Sequence, residues 1–348
     1  MSRNLDSHTV DEMWEKACFI TRLVASCVKI SETAGLIIKA PFFNILPFSL
    51  YKTILKDIMQ NGDLKIVNKG TILKEDPQTE ADRAAQYCII KSLHKKFGDK
   101  LKVIGEEEVT SAVEKLELSY SPEVLSYDSK CPSDLRNIDM SEVVVWVDPL
   151  DGTCEFTEAC KSGSSLLQHV TVLIGVSYKG KAIAGVIRQP YFGANQAGRT
   201  IWGIVGEGVH GINVVTNSEK KTVVTTRSHS TSTVTAALDA LKNKGMLDDV
   251  LTVGGAGYKV IKCLEGAAAY VFASPGCKKW DTAAPEAVLV AAGGCLTDIS
   301  GRNLYYGADA QILNSGGVLA TSNWVNHKDY VVGIPDEVKA TLPEVISR

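Results

Sequence analysis

Asp148-Pro149-Leu150-Asp151-Gly152-Thr153 follows directly on the apolar run Val143-Val144-Val145-Trp146-Val147. A buried strand ends there, and two carboxylates sit on a proline-set turn. Both can point to one spot, and the Leu150 carbonyl can join them. An all-oxygen set of this kind suits Mg²⁺, which takes carboxylates, carbonyls and retained waters. Gly152 and Thr153 then open a short helix, and a helix N-terminus is a ready phosphate site. The same residues also read as an Asp-rich turn with Asp151 capping the helix.

Three more acidic features stand where folding does not require an acid. Gly105-Glu106-Glu107-Glu108 again closes a strand, and by itself reads equally as a solvated acidic loop. Asp281, in Trp280-Asp281-Thr282, stands where a helix begins, and by itself fits a plain N-cap. Asp82 falls on the line 82, 85, 89, 93, at the N-terminal end of an apolar helical stripe. A buried acid needs a partner or a metal; exposure in the first turns is the other reading. Taken together, acids at the ends of two strands and the starts of two helices can converge where sheets meet. Clustered carboxylates repel one another unless divalent cations bind between them. That combination points to a multi-Mg²⁺ phosphoryl site.

These acids need particular elements to hold them. Apolar residues at three- and four-residue steps (Trp14, Ala17, Cys18, Val24, Ala25, Val28, Leu36) predict a helix over 11–39. A second helix is predicted over 76–97, with Asp76 as N-cap, Pro77 at the first helical position and Gly98 past the end. Strands are predicted over 102–105, 143–147, 170–178 and 181–189, the last two forming a hairpin through a Lys-Gly turn. Further strands are expected at 200–205 and 212–215, and a polar loop with a short helix over 108–140. After residue 218, strands at 222–226, 251–253, 268–272, 295–297 and 317–320 are interspersed with helices at 232–243, 258–264 and 282–292. The pattern is α+β, an antiparallel sheet with helices over 1–217, followed by an α/β layer over 218–348. Gly206-Glu207-Gly208-Val209-His210-Gly211 matches a dinucleotide fingerprint by letter only. A strand, not a helix, is expected after it, so a hairpin is the better reading.

The 348 residues allow two domains, and 45% hydrophobic with 22% charged residues describe a globular chain, not a fibre or a disordered one. With 37 basic against 40 acidic side chains, the formal charge of −3 gives no surface to hold a nucleic acid. The nine cysteines are scattered, with no C-x-x-C, and read as reduced thiols in a cytoplasmic setting. A redox role for Cys154 and Cys160 is the weaker alternative, since nothing basic stands beside them in the sequence. Residues 1–10 do not look like a signal peptide. The apolar stretch 36–50 is broken by Lys39, Pro41 and Pro47 and is shorter than the ~20 residues of a spanning helix. It reads as a buried or docked insertion, and no membrane association is expected.

Asp76-x-x-Thr79-x-Ala81-Asp82, Gly105-Glu106-Glu107, Asp148-Pro-Leu-Asp151-Gly-Thr153 and Trp280-Asp281 occur in this order. Together they resemble the lithium-sensitive, magnesium-dependent phosphatases of the inositol monophosphatase superfamily. Within it the chain is most similar to the 3′(2′),5′-bisphosphate nucleotidases, over most of its length from about residue 17. The resemblance implies a layered αβαβα sandwich, with metal-binding residues in 1–217 and nucleotide-binding residues in 218–348. It implies Glu106, Asp148, the Leu150 carbonyl, Asp151 and Asp281 as ligands of two or three Mg²⁺ ions. Asp82 and Thr153 would orient and deprotonate the attacking water, with Thr153 donating to Asp82. Thr226, His229, Gly255 and Lys259 would contact a small nucleotide, Lys259 as a point charge for its second phosphate. Without the resemblance, His229 reads as a capping or core histidine, and the glycines of 254–257 as a tight strand-to-helix connection. The expected activity is removal of the 3′-phosphate of adenosine 3′,5′-bisphosphate by a monomer. An inositol polyphosphate 1-phosphatase and a catalytically dead nucleotide sensor are the alternatives. The sequence departs from the family pattern at Lys69 and Lys74, neither of which has the spacing of the family lysine. It also departs at apparent insertions near 38–61 and 160–169, the second placed to alter substrate access.

Overall fold

The computed structural model describes residues 7–40, 67–68, 77–107, 115–162, 165–228 and 230–343. Asp76, Lys69, Lys74, His229 and most of the 38–61 segment lie outside the described residues. The first half runs through α1 (Ser7–Lys16), α2 (Phe19–Lys39), the short pair β1 (Val67–Asn68) and β2 (Pro77–Gln78), and α3 (Glu80–Phe97). Next come β3 (Lys102–Gly105), α4 (Pro122–Ser126), α5 (Ser133–Arg136), β4 (Val143–Asp151) and α6 (Thr153–Ser162). Four strands follow: β5 (Thr171–Tyr178), β6 (Lys181–Gln189), β7 (Arg199–Ile204) and β8 (Gly208–His210). The second half contains β9 (Thr222–Thr226), α7 (Ser232–Asn243), β10 (Asp249–Val253), α8 (Ala256–Leu264), β11 (Ala269–Phe272) and α9 (Lys279–Ala291). It ends with β12 (Cys295–Thr297), β13 (Val318–Thr321), α10 (His327–Gly333) and α11 (Asp336–Ala340).

Strands β3 to β8 form a six-stranded sheet in sequence order, antiparallel except for the β3–β4 pair. The second sheet has the order β10-β9-β11-β13-β12, with β10, β9 and β11 parallel. Helices α2 and α3 cover the outer face of the first sheet, α8 and α9 lie between the sheets, and α7, α10 and α11 cover the far side. This is the expected αβαβα layering. Successive side chains of a strand point to opposite faces, and β4 and β5 show it. Val145, Val147, Val172 and Ile174 join the apolar cluster under α2 and α3, whereas Val144, Trp146 and Leu173 join the cluster between the sheets. Asp148 shares the parity of Val144 and Trp146 and therefore belongs to the inner face.

Two glycines set how closely α9 approaches that face. Gly175 and Gly185 are paired across β5 and β6. A Cβ on Gly175 would stand 2.5 Å from the Ala284 nitrogen, and one on Gly185 would stand 2.4 Å from the Ala284 oxygen. Only glycine admits the helix backbone at this distance. The N-terminus of α9, with Asp281, is thereby carried against the end of β4.

Three of the differences from the sequence expectation have a local cause. The helix expected over 11–39 is two helices, because Cys18 is extended and its N–H donates to Asp128 Oδ1 at 2.9 Å. The helix expected from residue 76 starts at Glu80, and Pro77 is in β2. The true cap is Thr79, in a reciprocal capping box with Asp82. The strand expected over 212–215 does not form. The β7–β8 hairpin closes inside the glycine run, and the Val215 N–H bonds to the Leu264 oxygen at the end of α8.

Candidate active site

Each acid singled out in the sequence is fixed by an element end. Asp82 is the third residue of α3, 1% exposed, and its Oδ2 accepts the Thr79 N–H at 2.9 Å as well as the Thr79 hydroxyl. Glu106 follows β3 and extends its parallel pairing, donating its N–H to the Val147 oxygen at 3.1 Å. Asp148 is 2% exposed and accepts the Leu150 N–H on Oδ1 at 3.1 Å. The β4–β5 register shifts between Asp148 and Asp151. Pro149 has no N–H to keep the ladder regular, and the resulting bulge turns the chain toward α6. Asp281 sits in the first turn of α9, where its Oδ2 accepts the Lys278 N–H at 2.6 Å. The Lys278 ammonium is 3.5 Å from Glu106 Oε1.

Asp151 is held across the two halves of the chain. Its Oδ1 accepts the Ala256 N–H at 2.7 Å, and its Oδ2 accepts the Gly257 N–H at 2.8 Å and the Thr171 hydroxyl at 2.7 Å. The carboxylate thus sits on the N-terminus of α8, where free N–H groups and the helix dipole favour negative charge. This explains the glycine turn. A Cβ on Gly254 would fall 2.0 Å from the Glu155 carboxyl carbon, and one on Gly257 would fall 2.5 Å from Thr171 Oγ1. Gly255 has φ +69° and would place its Cβ 2.6 Å from the His169 backbone oxygen. We expect Gly255→Ala to lower stability by about 2–3 kcal/mol, combining left-handed strain with a clash against backbone. Gly245→Ala, at φ +66° with nothing within 4 Å, should lower it by only about 1 kcal/mol. Thermal unfolding of the two variants checks this, and equal losses would contradict it.

The electrostatics follow from burial. Asp148 is raised well above the ordinary carboxylate range by burial, then by Glu106, Asp151, Asp281 and Asp82. Asp82 is pushed up to about 7 by burial, with Glu107 and Glu106 adding to it against the Thr79 bonds. Asp281 is pushed up to about 7 by burial and Glu106. Burial also raises Asp151, opposed by the Thr171 hydroxyl, Lys259 and the two helix N–H groups. The structure therefore brings Glu106, Asp148, Asp151, Asp281 and Asp82 into one mutually repelling group. Its donors are all oxygen, which is the chemistry a hard divalent cation needs. Among the described residues, no three His, Cys, Asp or Glu side chains surround one point as ready ligands. Asp82, Asp151 and Asp281 face protein donors instead.

Thr153 is the first residue of α6, and its Oγ1 lies 3.4 Å from Asp82 Oδ1 and 2.9 Å from the Leu150 oxygen. A hydroxyl has one proton, and here the shorter contact is to Leu150. The expected donation to Asp82 is the longer of the two. Thr226 ends β9 and is buried, and Gly255 heads α8. Lys259 is 6% exposed, its Nζ donates to the Gly255 oxygen at 3.1 Å, and burial lowers its pKa against the pull of Asp151 and Glu155. It stands as a buried counter-charge to Asp151 and Glu155.

Several residues here were not assigned from sequence. Thr79 orients Asp82, and the Thr79-x-x-Asp82 spacing carried that signal. Thr171, Glu155 and Arg227 had none. Arg227 Nε meets Glu155 at 3.1 Å and its second nitrogen meets Glu158 at 2.5 Å, joining β9 to α6. His169 accepts the Gly254 N–H on Nδ1 at 3.3 Å and stacks on Tyr258. Burial pushes it down to about 4, with Arg227 and Lys259 adding to the effect. The segment near 160–169 therefore reaches the glycine turn.

The profile of the inositol monophosphatase family matches residues 49–336. The chain is 45% identical over 333 residues to 3′(2′),5′-bisphosphate nucleotidase 1 of Homo sapiens, covering 93% of this chain and 97% of that protein. It is 44% identical to the Mus musculus protein of the same name, covering 97% and 98%. Among solved structures, the extragenic suppressor protein SuhB from Bartonella henselae shares the fold with a TM-score of 0.61, at 18% identity, over 90% of this chain and 98% of that one. Sequence similarity along almost the whole length and the shared layering agree: the chain belongs to the inositol monophosphatase family.

Proposed function

We propose that this protein is a Mg²⁺-dependent phosphatase that removes the 3′-phosphate of adenosine 3′,5′-bisphosphate, giving AMP and phosphate. The sulfated analogue, 3′-phosphoadenylyl sulfate, is a second substrate. The observation that carries this reading is the buried carboxylate group at the junction of the two sheets, with Asp82 beside Thr153. The relatives named as 3′(2′),5′-bisphosphate nucleotidases support the nucleotide in place of an inositol.

Glu106, Asp148, the Leu150 carbonyl, Asp151 and Asp281 are the residues that would hold two or three Mg²⁺ ions. When bound, the ions supply the charge that acidifies the attacking water and offsets that of the phosphoryl group. The remaining chemistry belongs to this chain. Thr153 Oγ1 accepts from the water once its own proton is turned from the Leu150 oxygen to Asp82. Asp82, whose carboxyl proton affinity is raised by burial, takes the water proton. The water oxygen bonds to phosphorus as the bond to O3′ breaks, and the leaving oxygen takes up a proton from solvent. The N-terminus of α8 holds Asp151 in place throughout. Thr226, His229, Gly255 and Lys259 contact the nucleotide, and the positive charge of Lys259 also balances Asp151. We place the protein in the cytoplasm, a reading supported by nine scattered cysteines with no C-x-x-C, and as a monomer without nucleic-acid or membrane partners.

Phosphate release tests the reading on purified protein. Adenosine 3′,5′-bisphosphate with Mg²⁺ is expected to be turned over, with loss of activity in chelator and inhibition by lithium. Faster release from inositol 1,4-bisphosphate would favour an inositol polyphosphate phosphatase. Tight nucleotide binding without release would make the protein a sensor.

A further inference from the structure

Cys18 and Cys131 are separated by 113 residues, yet their Sγ atoms lie 3.5 Å apart. One residue, Asp128, builds this proximity. Asp128 Oδ1 accepts the Cys18 N–H at 2.9 Å, and the Asp128 backbone oxygen accepts the Cys131 N–H at 3.0 Å. Arg136 fixes Asp128 in turn, with a nitrogen 2.7 Å from Oδ2. Cys18 is the N-cap of the 21-residue helix α2 and is partly exposed, whereas Cys131 is 5% exposed. A helix N-terminus stabilises a thiolate. The hydroxyl of Thr21 stands 3.2 Å from Cys18 Sγ. The Cys131 thiol beside it, followed by the Thr21 contacts, holds Cys18 below the ordinary thiol range, against burial and the Asp128 carboxylate. Cys160, by contrast, is pushed up to about 12 by burial.

We propose that Cys18 and Cys131 are a redox-active dithiol that closes into a reversible disulfide with a low-molecular-weight disulfide as oxidant. The Cys18 thiolate attacks one sulfur of the oxidant, whose S–S bond breaks and releases one thiolate. Cys131 loses its proton and attacks Cys18 Sγ in the resulting mixed disulfide, releasing the second thiolate. Two protein thiols are oxidised, the oxidant is reduced to two thiols, and the two protons end on them. Cys18, more exposed and more thiolate in character, is the attacking group, and buried Cys131 is the resolving one. The bond would tie the α1–α2 junction to the segment before α5, closing a long loop in the unfolded chain.

The full-length protein is incubated with glutathione disulfide, quenched with an alkylating agent and mapped by peptide mass spectrometry. A single Cys18–Cys131 cross-link is expected, reversed by dithiothreitol, with a melting temperature several degrees above that of the reduced protein. Cys131→Ser should stop at a glutathione adduct on Cys18, and Cys18→Ser should give neither product at these positions. Cys295→Ser should cross-link as the parent does. Full alkylation of Cys18 and Cys131 after oxidation, or a cross-link through another pair, would overturn the proposal. Because mapping is done on the parent protein, a variant that fails to fold leaves the result readable.

Discussion

Asp82→Asn should lower kcat for phosphate release by about 10²–10⁴-fold, the usual contribution of a positioned general base, with little change in KM. The reason lies in where the chain puts this carboxylate. It is buried at the start of α3, one oxygen is fixed by Thr79, and the other faces Thr153 Oγ1 at 3.4 Å. An asparagine oxygen can still accept the Thr79 N–H, so the cap survives and the helix keeps its first turn. What the amide cannot do is take a proton from water. Steady-state kinetics together with thermal unfolding separates the two roles of the residue. A variant with an unchanged kcat and a lowered melting temperature would reduce Asp82 to a helix cap.

Asp148→Asn should abolish turnover, by about 10³-fold or more, and at the same time stabilise the protein in chelator. Asp148 is buried among Glu106, Asp151, Asp281 and Asp82, all of which raise its pKa together with burial. A neutral side chain of the same shape removes that repulsion and keeps the bond from the Leu150 N–H. A gain on the order of 1 kcal/mol, or about 2 °C in melting temperature, is expected in chelator. Added Mg²⁺ should then raise the melting temperature of the parent protein, as a ligand that binds only the folded state does, and should do so less for the variant. Calorimetry with and without Mg²⁺ measures both effects. A destabilised variant that responds to Mg²⁺ like the parent would remove Asp148 from the metal set.

These expectations rest on features that were unequally legible in the sequence. Strands β3, β6, β9 and β12 and helix α7 begin and end where alternation, turn residues and caps place them. Their signals are local: the Lys179-Gly180 turn before β6 is read from a few neighbouring residues, and in the structure Thr231 caps α7. Local signals also misled where two competed. Asp76-Pro77 imitates a helix start, but Thr79 and Asp82 satisfy each other's backbone groups and set the boundary three residues later. The apolar spacing of 212–215 imitates a strand, but its Val215 N–H has its partner on α8. The acids themselves were legible because four motifs each stand at an element end. The group that holds Asp151 was not, since Ala256 and Gly257 lie more than a hundred residues away. The same is true of Cys18 and Cys131, whose contact depends on Asp128. Lys259 was placed on the right helix, but its burial beside the charges of Asp151 and Glu155 had no signal in the sequence.

The chemistry at the sheet junction is tested most directly by identifying the products. The protein is incubated with adenosine 3′,5′-bisphosphate and Mg²⁺, and the reaction is followed by phosphorus NMR. Orthophosphate and AMP bearing its phosphate on O5′ are expected in equal amounts. Accumulation of 3′-AMP, or unchanged substrate in the presence of Mg²⁺, would contradict the assignment.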